Sequence, residues 1–407
     1  MPSTRRPAGR APRLSGALLA IAVPLAAVEG ATFPLPAPGV DVVGEARVAT
    51  VAEGETLLDI ARAHDLGYNE ITAANPGLDP WLPPPGSSVV LPTRYMLPAA
   101  PRQGIVVNLA EMRLYFYPEA HGGERVVMTF PIGIGQEGWL TPLAVTRVVA
   151  KIKDPAWTVP ASIREEHARL GDPLPAVVPP GPDNPLGAYA LRLGMTSYLI
   201  HGTNKPYGIG RRASHGCIRL YPEDIELLYR NVTVDTPVYI IDQPYKLGRD
   251  GERLYLEAHA PIEEPGRPAV DHASAVLAAA AAVSAGTERS QARERATEII
   301  RRASGLPEPV ARLPAGALVA APQGWMVQVG AFSRQHNAAR LAEELRGQGL
   351  TVTLAVNATD GYCHILAGPY ADQEAAQAAL TEVRQMTGYT GRIVATDRPG
   401  TLAECLP

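Results

Sequence analysis

His201-Gly202-Thr203-Asn204, followed by Ser214-His215-Gly216-Cys217-Ile218-Arg219-Leu220, is the stretch on which the reading of this chain turns. Two imidazoles and a thiol fall within residues 201–217. A free thiol is only a few per cent thiolate near neutrality, so a catalytic cysteine needs an imidazole within hydrogen-bond reach to take its proton. Either histidine can supply it. In an extended segment residues two apart point to one side, which sets His215 beside Cys217, whereas His201 closes the apolar strand Tyr198-Leu199-Ile200 and approaches across a sheet. Gly216 lets the backbone come close to a substrate carbonyl, and the amides of Gly216 and Cys217 are donors for the oxyanion formed on attack.

Outward from this stretch, short apolar segments recur at Ile105–Leu109, Arg113–Tyr117, Val126–Pro131, Thr146–Ile152, Tyr198–His201 and Val238–Ile241, a spacing that predicts a mainly-β domain over 103–242. Within it Asp154–Ala190 is rich in Pro and Gly, the composition of a lid or binding loop. Residues 46–92 read as strand, helix, helix, strand: Val48–Val51, a helical stripe at Leu57, Ile60, Ala61 and His64, a second helix after Asn69, and Ser88–Leu91. Residues 257–322 carry Ala-rich and charged helical pieces and read as a partly helical linker. Residues 323–396 follow the order βαββαβ of a ferredoxin-like α+β fold. The whole is multidomain, with 40 Pro and 38 Gly arguing against a helical bundle.

Arg5, Arg6, Arg10 and Arg13 precede an apolar run from Leu14 to Val28 and small residues at Gly30 and Ala31, the layout of a signal peptide over 1–31. The run is too short for a membrane span, so none is expected to remain after cleavage. A net charge of -4 offers no electrostatic footprint for nucleic acid. Three cysteines leave at least one thiol to explain; Cys363 shares a strand face with Ile365 and Ala367, and a Cys363–Cys405 disulfide stays open. Gly133-Ile134-Gly135-Gln136-Glu137-Gly138 spells a dinucleotide fingerprint, but Trp139-Leu140-Thr141-Pro142 follow and no helix begins there to hold a pyrophosphate. His201, His215 and Cys217 also form a set that zinc accepts, although a Gly-flanked Cys is explained without a metal. No metal and no cofactor are expected.

Residues 103–242 closely resemble the catalytic domain of L,D-transpeptidases of the YkuD family, in which a distal H-G is followed by S-H-G-C-x-R. Pro131–Gln136, Pro175–Pro179, Gly181–Gly187 and Ile200–Asn204 also match, in order, the ErfK/YbiS-like subgroup. The resemblance implies a thiolate at Cys217, a base at His201, support of the site and oxyanion by His215, Ser214 and Gly216, and substrate contacts from Arg219, Gly202, Thr203 and Asn204. It implies attack on the bond between diaminopimelate and the terminal D-alanine of a tetrapeptide stem, then transfer of the acyl group to an amine. That amine is the C-terminal lysine of an outer-membrane lipoprotein or a second stem peptide; water in its place would make a carboxypeptidase. A wall-binding protein with an inactive centre is the remaining alternative, and intact Cys217 and His201 argue against it. Gly54-Glu55-Thr56-Leu57, Asn75-Pro76-Gly77 and Leu91-Pro92 resemble a LysM domain, which implies glycan binding. Val327–Ser333 and Ala367–Tyr370 resemble a SPOR domain, which implies binding to peptidoglycan stripped of its stem peptides. Together these imply a periplasmic enzyme associated with the cell wall.

Overall fold

The computed structural model describes residues 31–37, 39–119, 125–264, 271–282, 287–313, 325–332, 335–347, 350, 352–357, 363–370, 373–387, 391–395 and 402–403. The leader expected at 1–31, Ala31 apart, and the Cys363–Cys405 pairing lie outside what those residues describe.

The small N-terminal unit has the order β1 (Arg47–Thr50), α1 (Leu57–Ala63), α2 (Tyr68–Ala74), β2 (Ser88–Leu91), with β1 and β2 antiparallel. Thr56 starts α1 as one half of a capping box: its hydroxyl accepts from the Asp59 amide at 3.1 Å, and the Asp59 carboxylate accepts from the Thr56 amide at 3.0 Å. Asn75, from the Asn-Pro-Gly turn, staples α2 to β2. Its side-chain nitrogen donates to the carbonyls of Ile71 and Val90, both at 2.8 Å, and its oxygen accepts from the Val90 amide at 2.7 Å.

The middle unit runs β3 (Gly104–Asn108), β4 (Arg113–Tyr117), β5 (Val126–Pro131), β6 (Ile134–Gly135), β7 (Ala144–Lys153), α3 (Ala161–Arg169), β8 (Tyr189–Leu193), β9 (Leu199–His201), β10 (Arg212–Ser214), β11 (Ile218–Arg219), α4 (Pro222–Asn231) and β12 (Pro237–Ile241). Its nine-stranded sheet has the order Ala31–Pro34, β5, β4, β3, β12, β7, β8, β9, β11, while β6 and β10 pair with each other. The β12–β3 and β9–β11 pairs are parallel. Strand β8 starts at Tyr189, so its first two residues lie within the Pro/Gly-rich stretch 154–190.

Both faces of β3 and β4 are buried, which requires a cover on each side. Ile105 and Val107 face a core completed by Ile225 and Leu228 of α4. Val106, Tyr115 and Tyr117 face the other way, into a core shared with Leu57, Ile60, Leu66 and Ile71 of the small unit. The two sequence modules are therefore one packed body. Arg113, fully buried, is held at this seam by the Glu70 carboxylate at 2.8 and 3.0 Å and donates to the Asp65 carbonyl at 2.7 Å. Arg62 grips Glu223 of α4 at 2.9 and 3.0 Å, and the amides of Tyr68 and Asn69 donate to the carbonyls of Ile209 and Gly210 at 3.1 and 3.2 Å. Gly210, at φ +76°, comes so near that a Cβ on it would lie 2.1 Å from the Tyr68 nitrogen.

Residues 257–322, expected as a linker, are folded in their described part. β13 (Tyr245–Asp250), β14 (Arg253–Ala258) and β15 (Glu308–Arg312) form an antiparallel sheet with α5 (Ala273–Ala282) and α6 (Thr287–Arg302), around Leu254, Leu256, Val276, Ala296 and Ile299. Alanine-rich helices have the same composition in a tether and against a sheet; packing decides, and it is not local. Buried Lys246 ties this unit to the middle one, its ammonium 2.6 Å from both Glu111 and Glu257. Glu111, Glu257 and His259 are the one cluster with metal-like spacing among the described residues, and the lysine already supplies its cation. The C-terminal unit, β16 (Trp325–Phe332), α7 (Gln335–Gly347), β17 (Val352–Asn357), β18 (Cys363–Tyr370), α8 (Gln373–Thr387) and β19 (Arg392–Ala395), has the expected βαββαβ order and its own core around Val327, Val329, Leu345 and Leu380. Among the described residues no helix is long and apolar enough to cross a membrane.

Candidate active site

Strands β9 and β11 pair in parallel, with Ile200 opposite Ile218 and His201 opposite Arg219. Opposed residues share a face, as do residues two apart, so His201, Arg219 and Cys217, which directly precedes β11, project to one side. Strand pairing thus sets His201 on the face of the thiol. Between His215 and Cys217 the chain turns at Gly216, whose φ is +102°. The His215 Nε2 lies 3.0 Å from the Glu166 carboxylate on α3, and its ring meets Trp139 edge-on, centroids 5.0 Å apart. A side chain at Gly216 would be strained by that φ and would press its Cβ to 3.0 Å from the Tyr198 ring.

His201 is 3% exposed, and its Nδ1 is 2.7 Å from the Gly202 carbonyl. A carbonyl only accepts, so Nδ1 carries the proton and Nε2 keeps its lone pair. Burial first, then the Arg219 charge, push the imidazole down to about 3. Burial pushes the Cys217 thiol up, against a hydrogen bond from the Leu199 backbone and the charge of Arg219, and the S–H donates to the Ser197 carbonyl at 3.6 Å. The resting pair is a neutral thiol beside a neutral imidazole. Burial works against both charged forms, because each loses hydration there.

Ser214 locks the loop, donating to the Cys217 carbonyl at 2.6 Å and accepting from the Gly216 amide at 3.2 Å. The Gly216 amide is thereby engaged inside the loop, while the Cys217 amide has no acceptor among the described residues. Arg219 donates to the Ala213 carbonyl at 2.8 Å. Gly202, Thr203 and Asn204 are all tied into the frame: the Gly202 amide donates to Tyr189 at 3.1 Å, the Thr203 hydroxyl accepts from the Lys205 amide at 2.9 Å, and Asn204 donates to the Asp183 carbonyl at 3.0 Å.

Three residues at the site were not singled out from sequence. Glu166 sits in the lid and reaches His215; a carboxylate on an amphipathic helix carries no local mark of such a partner. Asn184, inside the quoted Gly181–Gly187 motif, is buried and knots the root of the lid. Its nitrogen donates to the carbonyls of Pro155 and Pro179 at 2.8 and 3.0 Å, and its oxygen accepts from the Leu186 amide at 2.9 Å. Thr141 donates to the Gly216 carbonyl at 2.9 Å and accepts from the Gly135 amide at 3.1 Å.

The middle unit is mainly β, and its strand pairing sets the His201 imidazole and the Cys217 thiol on one face. Residues 102–240 match the profile of the L,D-transpeptidase catalytic domain, 49–92 that of the LysM domain and 321–395 that of the SPOR domain. The probable L,D-transpeptidase YbiS of Escherichia coli (strain K12) is 47% identical over 236 residues, 57% of this chain and 76% of that protein. The probable L,D-transpeptidases YcfS and ErfK/SrfK of the same strain are 46% identical over 255 residues and 47% over 236, covering 61% and 57% of this chain and 78% and 74% of theirs. The chain belongs to the L,D-transpeptidase family.

Proposed function

We propose that this chain is a wall-associated L,D-transpeptidase acting on peptidoglycan stem peptides, with Cys217 as nucleophile and His201 as base. The observation that carries the reading is the 2.7 Å contact from His201 Nδ1 to the Gly202 carbonyl, which leaves Nε2 unprotonated on the face shared with Cys217. As Sγ adds to the carbonyl of the diaminopimelate–D-alanine bond, its proton passes to Nε2, so no free thiolate is needed beforehand. The oxyanion is met by the Cys217 amide, with His215 and Ser214 in support. Collapse breaks the C–N bond, Nε2 returns the proton to the leaving D-alanine nitrogen, and a thioester remains. An acceptor amine attacks it, giving a proton to Nε2 and restoring the thiol. The acceptor is a lipoprotein lysine or a second stem peptide; water would give an L,D-carboxypeptidase, and mass spectrometry of the products separates these.

Arg219 faces the reacting pair and lowers the cost of negative charge there. Gly202, Thr203 and Asn204 frame the substrate groove. The LysM and SPOR domains supply affinity for glycan strands, and the leader at 1–31 sends the protein to the periplasm. With purified protein and tetrapeptide muropeptides, Cys217→Ala should abolish D-alanine release and leave sacculus binding intact. Release retained by that variant would overturn the assignment.

A further inference from the structure

One guanidinium on the seam between the small N-terminal unit and the catalytic sheet has no polar partner. The guanidinium of Arg211, directly before β10, makes no hydrogen bond and no ion pair among the described residues, and its Nε is shielded from solvent, while the Arg211 carbonyl accepts from the Ile134 amide at 3.1 Å. The group is nonetheless held in place, its carbon 3.8 Å from the centroid of the Tyr68 ring and 5.4 Å from that of Trp81. Stacking occupies the faces of a guanidinium and leaves its edge, where the N–H donors lie, for a planar anion. Neighbouring arginines are already used: Arg62 grips Glu223 and Arg113 grips Glu70. Trp81, against Arg211, is 48% exposed and its chain neighbour Leu82 82%, and Tyr207, which lines a pocket with Tyr68, is 56% exposed. Tyr68, which stacks on Arg211, also lines a pocket with Tyr207, Pro206, Ile209 and Tyr221.

We propose that this seam binds the anionic muramoyl peptide of the donor strand, its stem carboxylate on the Arg211 edge and its pyranose against the exposed faces of Trp81 and Tyr207. The proposal rests on the stem-peptide reading above. Aromatic faces pack the C–H side of a sugar ring, and an arginine fork fits a carboxylate in two parallel hydrogen bonds. The chain runs from Arg211 through β10 to Ser214, a span of roughly 10 Å at ~3.3 Å per residue. Two extended stem residues at ~3.5 Å each, with the arginine's own side chain, cover that span. Those two steps run from the second stem residue to the fourth, so a donor held at the carboxylate of its second residue would carry the bond between its third and fourth towards the loop that holds Cys217.

The test uses the full chain carrying Cys217→Ala, so that binding is read without turnover. Calorimetry with N-acetylmuramoyl-L-alanyl-D-glutamate should show binding that Arg211→Met weakens at least about 10-fold, the cost of a lost charged hydrogen bond. Tyr207→Ser, at an exposed position, should weaken it too, and neither change should alter affinity for chitotetraose. No binding of the dipeptide, equal binding by Arg211→Met, or a matching loss of chitotetraose affinity would each overturn the proposal. N-acetylmuramic acid alone binding as tightly as the dipeptide would place the lactyl carboxylate, not the stem, on Arg211 and would also refute it. Retained D-alanine release by Cys217→Ala is a separate readout and bears only on the catalytic reading.

Discussion

Alkylation of Cys217 by iodoacetamide should climb about tenfold per pH unit between pH 6 and 8, with no plateau. The thiol is pushed above its ordinary value by burial, and His201 is held at about 3, so neither partner is charged in that range. With a thiol above ~8.5, less than roughly 3 per cent is thiolate at pH 7, and that fraction scales with hydroxide. A thiolate–imidazolium pair would behave otherwise: its reactive form would fill at low pH and give a flat rate from about pH 5 to 8. His201→Gln separates the two cases. It removes no imidazolium from the resting site, so the slope of alkylation against pH should persist, while turnover of stem peptides should fall by ~10²- to 10⁴-fold through loss of the base. Stopped-flow or mass-spectrometric alkylation rates at half-unit pH steps would decide. A plateau in the parent protein that disappears in His201→Gln would refute the neutral-pair reasoning.

The same imidazole should register in stability. Its folded value of about 3 against ~6.5 unfolded means that the folded state excludes a proton, so stability is full above pH 6.5 and is lost as pH falls towards 3. Moving from pH 7 to 5 should cost about 2 kcal/mol, and urea midpoints for the parent but not for His201→Gln should show it. Glu70→Gln strands the buried Arg113 and should destabilise the protein by roughly 3–5 kcal/mol in the same assay; a change within error would mean that the seam relaxes around the lost charge. Glu166→Ala should lower kcat about 3- to 10-fold, the worth of one hydrogen bond, with KM little changed, and should have no further effect in a His215→Ala background. Additive losses would show that Glu166 acts on the lid alone.

Local signals carried much of this architecture. The βααβ and βαββαβ orders, most sheet strands and the approach of His201 along an apolar strand all follow from periodicity and turn residues, because each is fixed within a few neighbouring positions. The placement of His215 was not legible, since it hangs on the φ of Gly216 and on Glu166 in a distant helix. The fold of residues 257–313 escaped for a related reason: Ala296 and Ile299 of α6 bury themselves against a strand pair far off in sequence. Arg113 opens a predicted strand and nothing local marks it as buried; the covering small unit makes it so.

The contact of Gly67 with Gly210 has a consequence for how such a chain changes over generations. Family profiles divide it between 49–92 and 102–240, but packing does not, because Leu57 and Ile71 share an interior with Tyr115 and Val127. What reads as two portable modules packs as one. A LysM domain transplanted from another protein would meet the catalytic sheet with the wrong surface, and a larger residue at Gly210 would be tolerated only if the backbone at Gly67 and Tyr68 retreated with it. At Glu70 and Arg113, loss of either partner would leave a buried charge alone, so a change at one is tolerated best with a matching change at the other.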